Sequence, residues 1–309
     1  MARIKTPTDP ERRAGDAWVN NAVMSGEASD LRLAGTERSV VAAQYEDPSN
    51  LQSRVNVYAY LCPEQPLPNG VTFEDWVLDH LDWTGEESAL DIGCGPGGFL
   101  SPLSLRAGRV MGFDLSLGML ARAMKRTPDC QAHLAVADIQ ALPLVSDSVD
   151  VVVAAFMLYH VPHLDRAIEE LFRVLQSGGA ILAVTNGPGD KAEIRQAWQE
   201  AGRRIVGQTF NVPHWSDNFN LDNGATVLGE KFDVVAVDRT RGTFEFPEPG
   251  PVLAWVQSLR PGLEGGIEDA TWMDVMGELR RVVAHEIEAQ GTFAAGKDSG
   301  LVIARKRAT

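Results

Sequence analysis

Leu90-Asp91-Ile92-Gly93-Cys94-Gly95-Pro96-Gly97-Gly98 is the stretch that decides the fold. The apolar run Ser88 to Ile92 leading into it reads as a short strand, and Phe99 to Arg106 behind it as a short helix. A chain that turns from strand into helix this tightly needs residues that tolerate positive φ, and Gly93, Gly95 and Gly97 supply them. Without side chains in the way, a ligand can press against the backbone N–H groups of the turn. Dehydrogenases and other nucleotide binders share such glycine triplets, so the triplet alone implies only a nucleotide-like ligand. Asp91 narrows the choice. A carboxylate just before the first glycine would serve a pyrophosphate badly and a cationic ligand well.

Outward from this turn, strand and helix alternate. Strands are predicted at Ser88 to Ile92, Arg109 to Leu115, His133 to Asp138, Val149 to Phe156 and Ala180 to Thr185, with later ones at Phe232 to Arg241 and Leu301 to Lys306. Val149 to Phe156 is apolar on both faces, as a central parallel strand should be. Leu117 to Arg126 and Leu164 to Leu175 carry apolar residues at helical spacing, and Ser177-Gly178-Gly179 offers a helix stop. Upstream, Thr72 is a candidate N-cap for a helix beginning TFEDWVLDHLDW. These signals predict an α/β fold: a doubly wound, seven-stranded, mostly parallel sheet.

Two further acids stand at strand ends. Asp114 closes the next strand, about 20 residues after Asp91, where an acid accepts hydrogen bonds from ribose hydroxyls in dinucleotide folds. Asp138 closes the strand after that, in AVADIQALPL. With Leu90 to Gly97 matching hydrophobic-Asp-x-Gly-x-Gly-x-Gly without a gap, the chain from about residue 45 onward resembles the class I (Rossmann-like) S-adenosylmethionine-dependent methyltransferases of the small-molecule type. The resemblance implies S-adenosylmethionine as cofactor, a sulfonium that also carries an ammonium group, and S-adenosylhomocysteine as product. It implies that Gly93, Gly95 and Gly97 form the turn beside the methionyl part, with Asp91 acting through water or the ammonium group. Asp114 would hold both ribose hydroxyls, Leu115 and Met119 would line the adenine face, Asp138 would accept from the adenine amino group, and Ile139 would pack on the ring. The segment SVDVVVAAFMLYHVPHLDRAIEELFRVLQSGG resembles the strand-and-helix module that follows in the same family.

The resemblance also implies a lid. Tyr45 to Arg54 is similar to a segment of small-molecule members in which Arg54 would pair with the cofactor carboxylate and Tyr45 would cover it; the alternative is a solvated arginine and a core tyrosine. Residues 1–69 are read as a flexible N-terminus and helical lid. Residues 70–309 are read as the cofactor-binding domain, with cap elements at about 208–230 and 248–290. The first cap is aromatic, the second helical with Trp255 and Trp272. Phe156 to His160 follows the fourth strand, where the methyl group would be met. His160, with Tyr159 beside it, is the candidate general base, against the alternative of a packed core histidine; His163 and His214 are further options. Methyl transfer needs a base only if the acceptor must lose a proton.

The chain has 309 residues and a net charge of −14. Its lysines and arginines are scattered apart from Arg305-Lys306-Arg307, which lowers the expectation of a nucleic-acid partner. Cys62, Cys94 and Cys130 are odd in number and far apart, so neither a disulfide framework nor a metal site is expected. No apolar run reaches the roughly 20 residues a membrane helix needs, and the N-terminus lacks a signal-like apolar stretch. The expected protein is a cytoplasmic monomer or homodimer acting in specialised metabolism. Its acceptor would be a small molecule methylated on oxygen, nitrogen or carbon. RNA or protein methylation and non-catalytic cofactor binding are the competing readings.

Overall fold

The computed structural model describes residues 3–4, 48–67, 70–207, 210–212, 214–263 and 267–307. The strands are β1 (Leu61–Pro63), β2 (Ser88–Ile92), β3 (Arg109–Asp114), β4 (His133–Val136), β5 (Val149–Ala155), β6 (Leu175–Asn186), β7 (Asp233–Phe246) and β8 (Phe293–Arg305). The helices are α1 (Pro48–Asn56), α2 (Phe73–Leu78), α3 (Leu100–Ser104), α4 (Leu117–Arg126), α5 (Leu164–Val174), α6 (Ala192–Ile205), α7 (Gly224–Gly229), α8 (Gly250–Leu259) and α9 (Asp269–Gln290). The strands form one sheet in the order β1-β7-β8-β6-β5-β2-β3-β4. The five from β4 to β6 are mutually parallel, while β8 is antiparallel to both β6 and β7, and β7 to β1. Strand order reverses between β2 and β5, the switch point at which such sheets open a crevice beyond the carboxyl ends of their strands. A separate short ladder pairs Arg3–Ile4 with Leu81–Asp82.

Helices cover both faces. On one, Val77, Leu78, Leu100, Leu103, Leu120 and Ala123 pack on Val110, Val151, Val153, Val184 and Leu301. On the other, Ile168, Leu171 and Val174 of α5 pack on Leu90, Val152, Ile181 and Val302, with Phe219 and Phe232 closing the end. The far halves of β7 and β8 lie under α6, α8 and α9 in an aromatic core of Trp198, Phe210, Phe244, Phe246, Trp255, Trp272 and Phe293. Helix α2 starts as the sequence indicates: Thr72 accepts from the Asp75 amide, and Asp75 answers with its carboxylate in a capping box. His80, just past α2, hydrogen-bonds Asp238 of β7 at 3.0 Å and pins the helix over the sheet.

Several expectations are corrected. The sheet has eight strands, not seven. The eighth, Leu61–Pro63, is too short to show a period and lies in the segment read as lid. It pairs at the sheet edge, where Pro63 is tolerated because one side of the strand needs no donor. Strands β7 and β8 run well past Arg241 and begin well before Leu301, because their distal halves are buried by the cap helices rather than by the α/β core. Gly178-Gly179 does not stop a helix: α5 ends at Val174, Leu175 is already extended, and the glycines lie inside β6 next to a register irregularity. The helix from Thr72 ends at Leu78, and Leu81–Asp82 is strand.

The ring of Phe210 lies directly against Gly202 in α6, leaving no room for a Cβ there. Gly202→Ala should therefore destabilise the protein by about 1–3 kcal/mol, as overpacking does. The readout is a lower thermal midpoint with unchanged circular dichroism in the native state; an unchanged midpoint would show that the ring moves aside freely.

Candidate functional site

The carboxyl ends of β2, β3 and β5 open into a cavity of about 730 Å³, closed over by α1, α2 and the caps. Cavities of that size hold a drug-sized ligand. Its walls contain most of the residues singled out from sequence: Arg54, Asp91, Gly93, Gly95, Asp114, Leu115, Met119, Asp138, Ile139, Phe156, Tyr159 and His160. Gly97 is absent from the wall. It packs inward instead, with φ +82° and a site where a Cβ would lie 3.1 Å from that of Ala123. Tyr45 lies outside the described residues. His163 and His214 do not line the cavity; His214 stacks on Trp215 and hydrogen-bonds the Pro188 carbonyl.

The turn is tied to the end of β3. The amides of Gly93 and Cys94 both donate to the Phe113 carbonyl, at 2.7 and 3.0 Å, and the Gly95 amide donates to Asp114 Oδ2 at 2.9 Å. Asp114 Oδ1 accepts from the Ser116 amide at 2.7 Å. Gly93 has φ +67°, and a Cβ on it would strike Met157 Cγ at 2.8 Å; at Gly95 a Cβ would meet nothing, since that residue faces the opening. Asp91 is 1 % exposed, and its Oδ2 has no hydrogen-bond partner. Burial, and after it the Asp114 carboxylate, pushes the Asp91 carboxyl up to about 8. Burial also raises Asp114, opposed by the amides of Ser116 and Gly95. Two acids so placed, one with an unsatisfied oxygen, fit a ligand that brings positive charge and hydroxyl donors. Two residues past β4, which ends at Val136 and not at Asp138 as expected, Asp138 Oδ1 accepts from the Gln140 amide at 3.0 Å, with Met119 and Ile139 buried in the same wall.

Phe156, directly after β5, lies in the left-handed region, φ +54°, a strained setting for a residue with a side chain. Its amide donates to the Val184 carbonyl at 2.8 Å, and its ring stacks on Phe73 of α2 at 6.0 Å. Tyr159 and His160 follow in a single 3-10 turn, rings 4.5 Å apart, with Tyr159 buried and His160 half-buried at the wall. Arg54 donates to the Ser258 carbonyl at 2.9 Å and to its hydroxyl at 3.2 Å, joining α1 to α8 at the rim.

The sequence reading missed a polar wall. Asn186, Asp190, Lys191, Thr240, Lys297 and Ser299 line the cavity beside Tyr58, Trp215 and Trp255. Lys191 is buried over the rings of Phe244 and Tyr58 and paired with Asp190 at 2.6 Å. Burial is the largest influence and works against its charge, but Asp190 and Tyr58 together hold its pKa above the usual value. Asp190-Lys191 follows Gly187-Pro188-Gly189 at a strand end, the place where α/β ligands bind. That placement was the available signal.

The Methyltransferase domain family matches residues 90–183. Over 187 residues the chain is 31% identical to the biotin biosynthesis bifunctional protein BioHC of Cellvibrio japonicus, covering 59% of this chain and 34% of that one. It is 33% identical over 136 residues to malonyl-(acyl-carrier protein) O-methyltransferase of Pseudescherichia vulneris, covering 44% of this chain and 53% of that one. The chain thus spans about a third to a half of these relatives' length. Among solved structures, a Bacillus halodurans protein described as a methyltransferase aligns with a TM-score of 0.55 at 17% identity, over 76% of this chain and 99% of that one. The [4+2]-cyclase SpnF aligns at 0.53 and 17% identity, over 91% and 100%. The matched residues, 90–183, are those that build the glycine turn and the strands β2 to β6 behind it, and this part of the chain matches a methyltransferase domain in a fold shared with the solved structures.

Proposed function

We propose that the protein is an enzyme that transfers the methyl group of S-adenosylmethionine to a small organic acceptor. The observation that carries this reading is the buried Asp91 carboxylate with its unsatisfied oxygen, beneath the glycine turn and in one cavity with Asp114 and Asp138. When bound, the cofactor supplies an electrophilic methyl on a sulfonium, and transfer is an in-line displacement. The chain's own residues have four tasks. Asp91 neutralises the cationic part, and Asp114, its orientation fixed by two backbone amides, accepts from the ribose. Asp138, Ile139, Met119 and Leu115 frame the base. Phe73 and Phe156 wall the reacting end from water, and alignment in such a dry site supplies much of the rate. His160, supported by Tyr159, takes the acceptor's proton where it has one to lose.

An apolar, tryptophan-lined acceptor half supports a small-molecule acceptor over RNA, as does the net charge of −14. The relatives' O-methyltransferase names favour oxygen as the accepting atom. No described helix is long and apolar enough to cross a membrane, and the three cysteines are unpaired. We propose the cytoplasm as the site of action and specialised metabolism as the setting.

Asp114→Ala should weaken S-adenosylhomocysteine binding by more than about tenfold, since it strands hydroxyl donors without a partner; calorimetry giving an unchanged affinity would sink the assignment. His160→Ala should lower turnover by about a hundredfold with cofactor affinity intact; a loss of thermal stability in place of turnover would make His160 a packing residue. Asp91→Asn carries a pH signature. In the unfolded chain Asp91 ionises near pH 4, roughly its reference value, while in the cofactor-free fold it keeps its proton up to about 8. Its contribution to stability is thus full below about pH 4 and is lost as pH rises toward 8. Asparagine has no such loss. The variant's melting temperature should gain on the wild type between pH 5 and 8, by about 2 °C or more, while its cofactor affinity falls. A difference that stays flat with pH would contradict the placement of Asp91.

A further inference from the structure

Three lysines are buried in the described part of the chain: Lys191, Lys297 and Lys306, at 4, 7 and 8 % exposure. Two have a carboxylate. Lys191 pairs with Asp190 at 2.6 Å and Lys306 with Asp147 at 2.7 Å. Lys297 differs. Among the described residues no carboxylate stands within 4.0 Å of its Nζ, which donates instead to neutral oxygens: Ser299 Oγ at 2.6 Å, the Thr240 carbonyl at 3.3 Å and Thr240 Oγ1. An ammonium taken out of water without a counter-charge is costly, and proteins pair such charges or use them.

Its surroundings have the form of a ligand wall. Ser299 of β8 is in register with Asn186 of β6 on one side and Thr240 of β7 on the other, so the three side chains stand in one row. Lys297, two residues along β8, shares their face. All four line the cavity. In the same row Asn186 Oδ1 is buried without a hydrogen-bond partner, a second polar group that is incomplete in the protein alone. Lys297 Nζ lies 5.8 Å from the centre of the Phe73 ring, which stacks on Phe156. The uncompensated cation is therefore one ring away from the wall assigned to the reacting end. Burial lowers the Lys297 pKa to about 8; Asp190 and Asp298 oppose that shift and Lys191 adds to it. The group is thus mostly charged at neutral pH. Arg54, Glu74 and Arg241, from α1, α2 and β7, also bring charge to this cavity, alongside Arg126 and the acids at the strand ends.

We propose that Lys297 is the specificity-determining residue of the acceptor half, and that the acceptor is a largely apolar molecule whose carboxylate or other acidic oxygen docks on its ammonium. This rests on the methyltransferase reading above. The aromatic side chains Tyr58, Trp215 and Trp255 hold the apolar body, and Lys297 with Ser299 and Asn186 reads the acidic end.

The test is a set of binding titrations in saturating S-adenosylhomocysteine, followed by tryptophan fluorescence. The probes are acid–amide pairs: benzoate with benzamide, phenylacetate with phenylacetamide, and the malonyl thioester of N-acetylcysteamine with its carboxamide. At least one acid should bind about tenfold or more tighter than its amide. Lys297→Met should bring that ratio to within about twofold, Lys297→Arg should keep most of it, and S-adenosylhomocysteine affinity should hold in both. No preference for any acid in the wild type, or a preference that survives Lys297→Met, overturns the proposal. If the methionine variant does not fold, Lys297→Gln decides in its place, and a preference that survives it overturns the proposal. Failure of the wild type to bind S-adenosylhomocysteine would instead sink the methyltransferase reading, so the two are separable.

Discussion

Three consecutive amides, those of Gly93, Cys94 and Gly95, bend the chain leaving β2 across the end of β3 and bond to Phe113 and Asp114. Much of the site's chemistry is set by this attachment. It requires glycine where the chain passes Met157 and where it faces the opening. It brings the Asp114 carboxylate close enough to raise the carboxyl of Asp91 on the adjacent strand, and it leaves Asp91 buried beneath the turn. Acids in such positions are a liability to an empty fold, and a protein keeps them when a ligand returns the lost charge compensation.

The parallel half of the sheet was legible because its physics is local. β2, β5 and the end of β6 are apolar on both faces, and the amphipathic helices between them announce their length. Asp91, Asp114 and Asp138 could be found for the same reason: each is the polar residue that ends an apolar run. The antiparallel half was harder. Leu61–Pro63 is three residues long, and its pairing is decided by the exposed flank of β7, far away in sequence. Gly242, Gly296 and the pair Lys297-Asp298 break the alternation that would have marked β7 and β8 as long strands. Lys297 itself looks like a solvent-facing residue in a linear reading. Only the register of β8 between β6 and β7, and the helices above, make it a wall of the cavity.

The two halves of the cavity divide the labour. The parallel strand ends belong to the matched domain and would be shared by proteins that use the same cofactor. The acceptor half comes from α1, α8, the loop after β6 and the antiparallel strands, outside or at the margin of residues 90–183. That a cyclase shares the overall architecture shows how little the scaffold limits the reaction. On the proposed reading, specificity comes from the appended elements, among them Tyr58, Trp215, Trp255 and the polar row on β6, β7 and β8.

The order of the sheet has a consequence for how the molecule is made. β8 follows β7 along the chain but lies between β7 and β6, bonded to both. Until residues 293–305 arrive, the two older strands present open edges to each other and to any neighbouring chain. The ladder that joins them spans more than a hundred residues of sequence separation, the kind of contact that forms late. During synthesis on a ribosome, the glycine turn and its acids can be assembled while the acceptor wall is still missing. A nascent chain would acquire the means to hold a cofactor before it acquires the means to choose what to methylate.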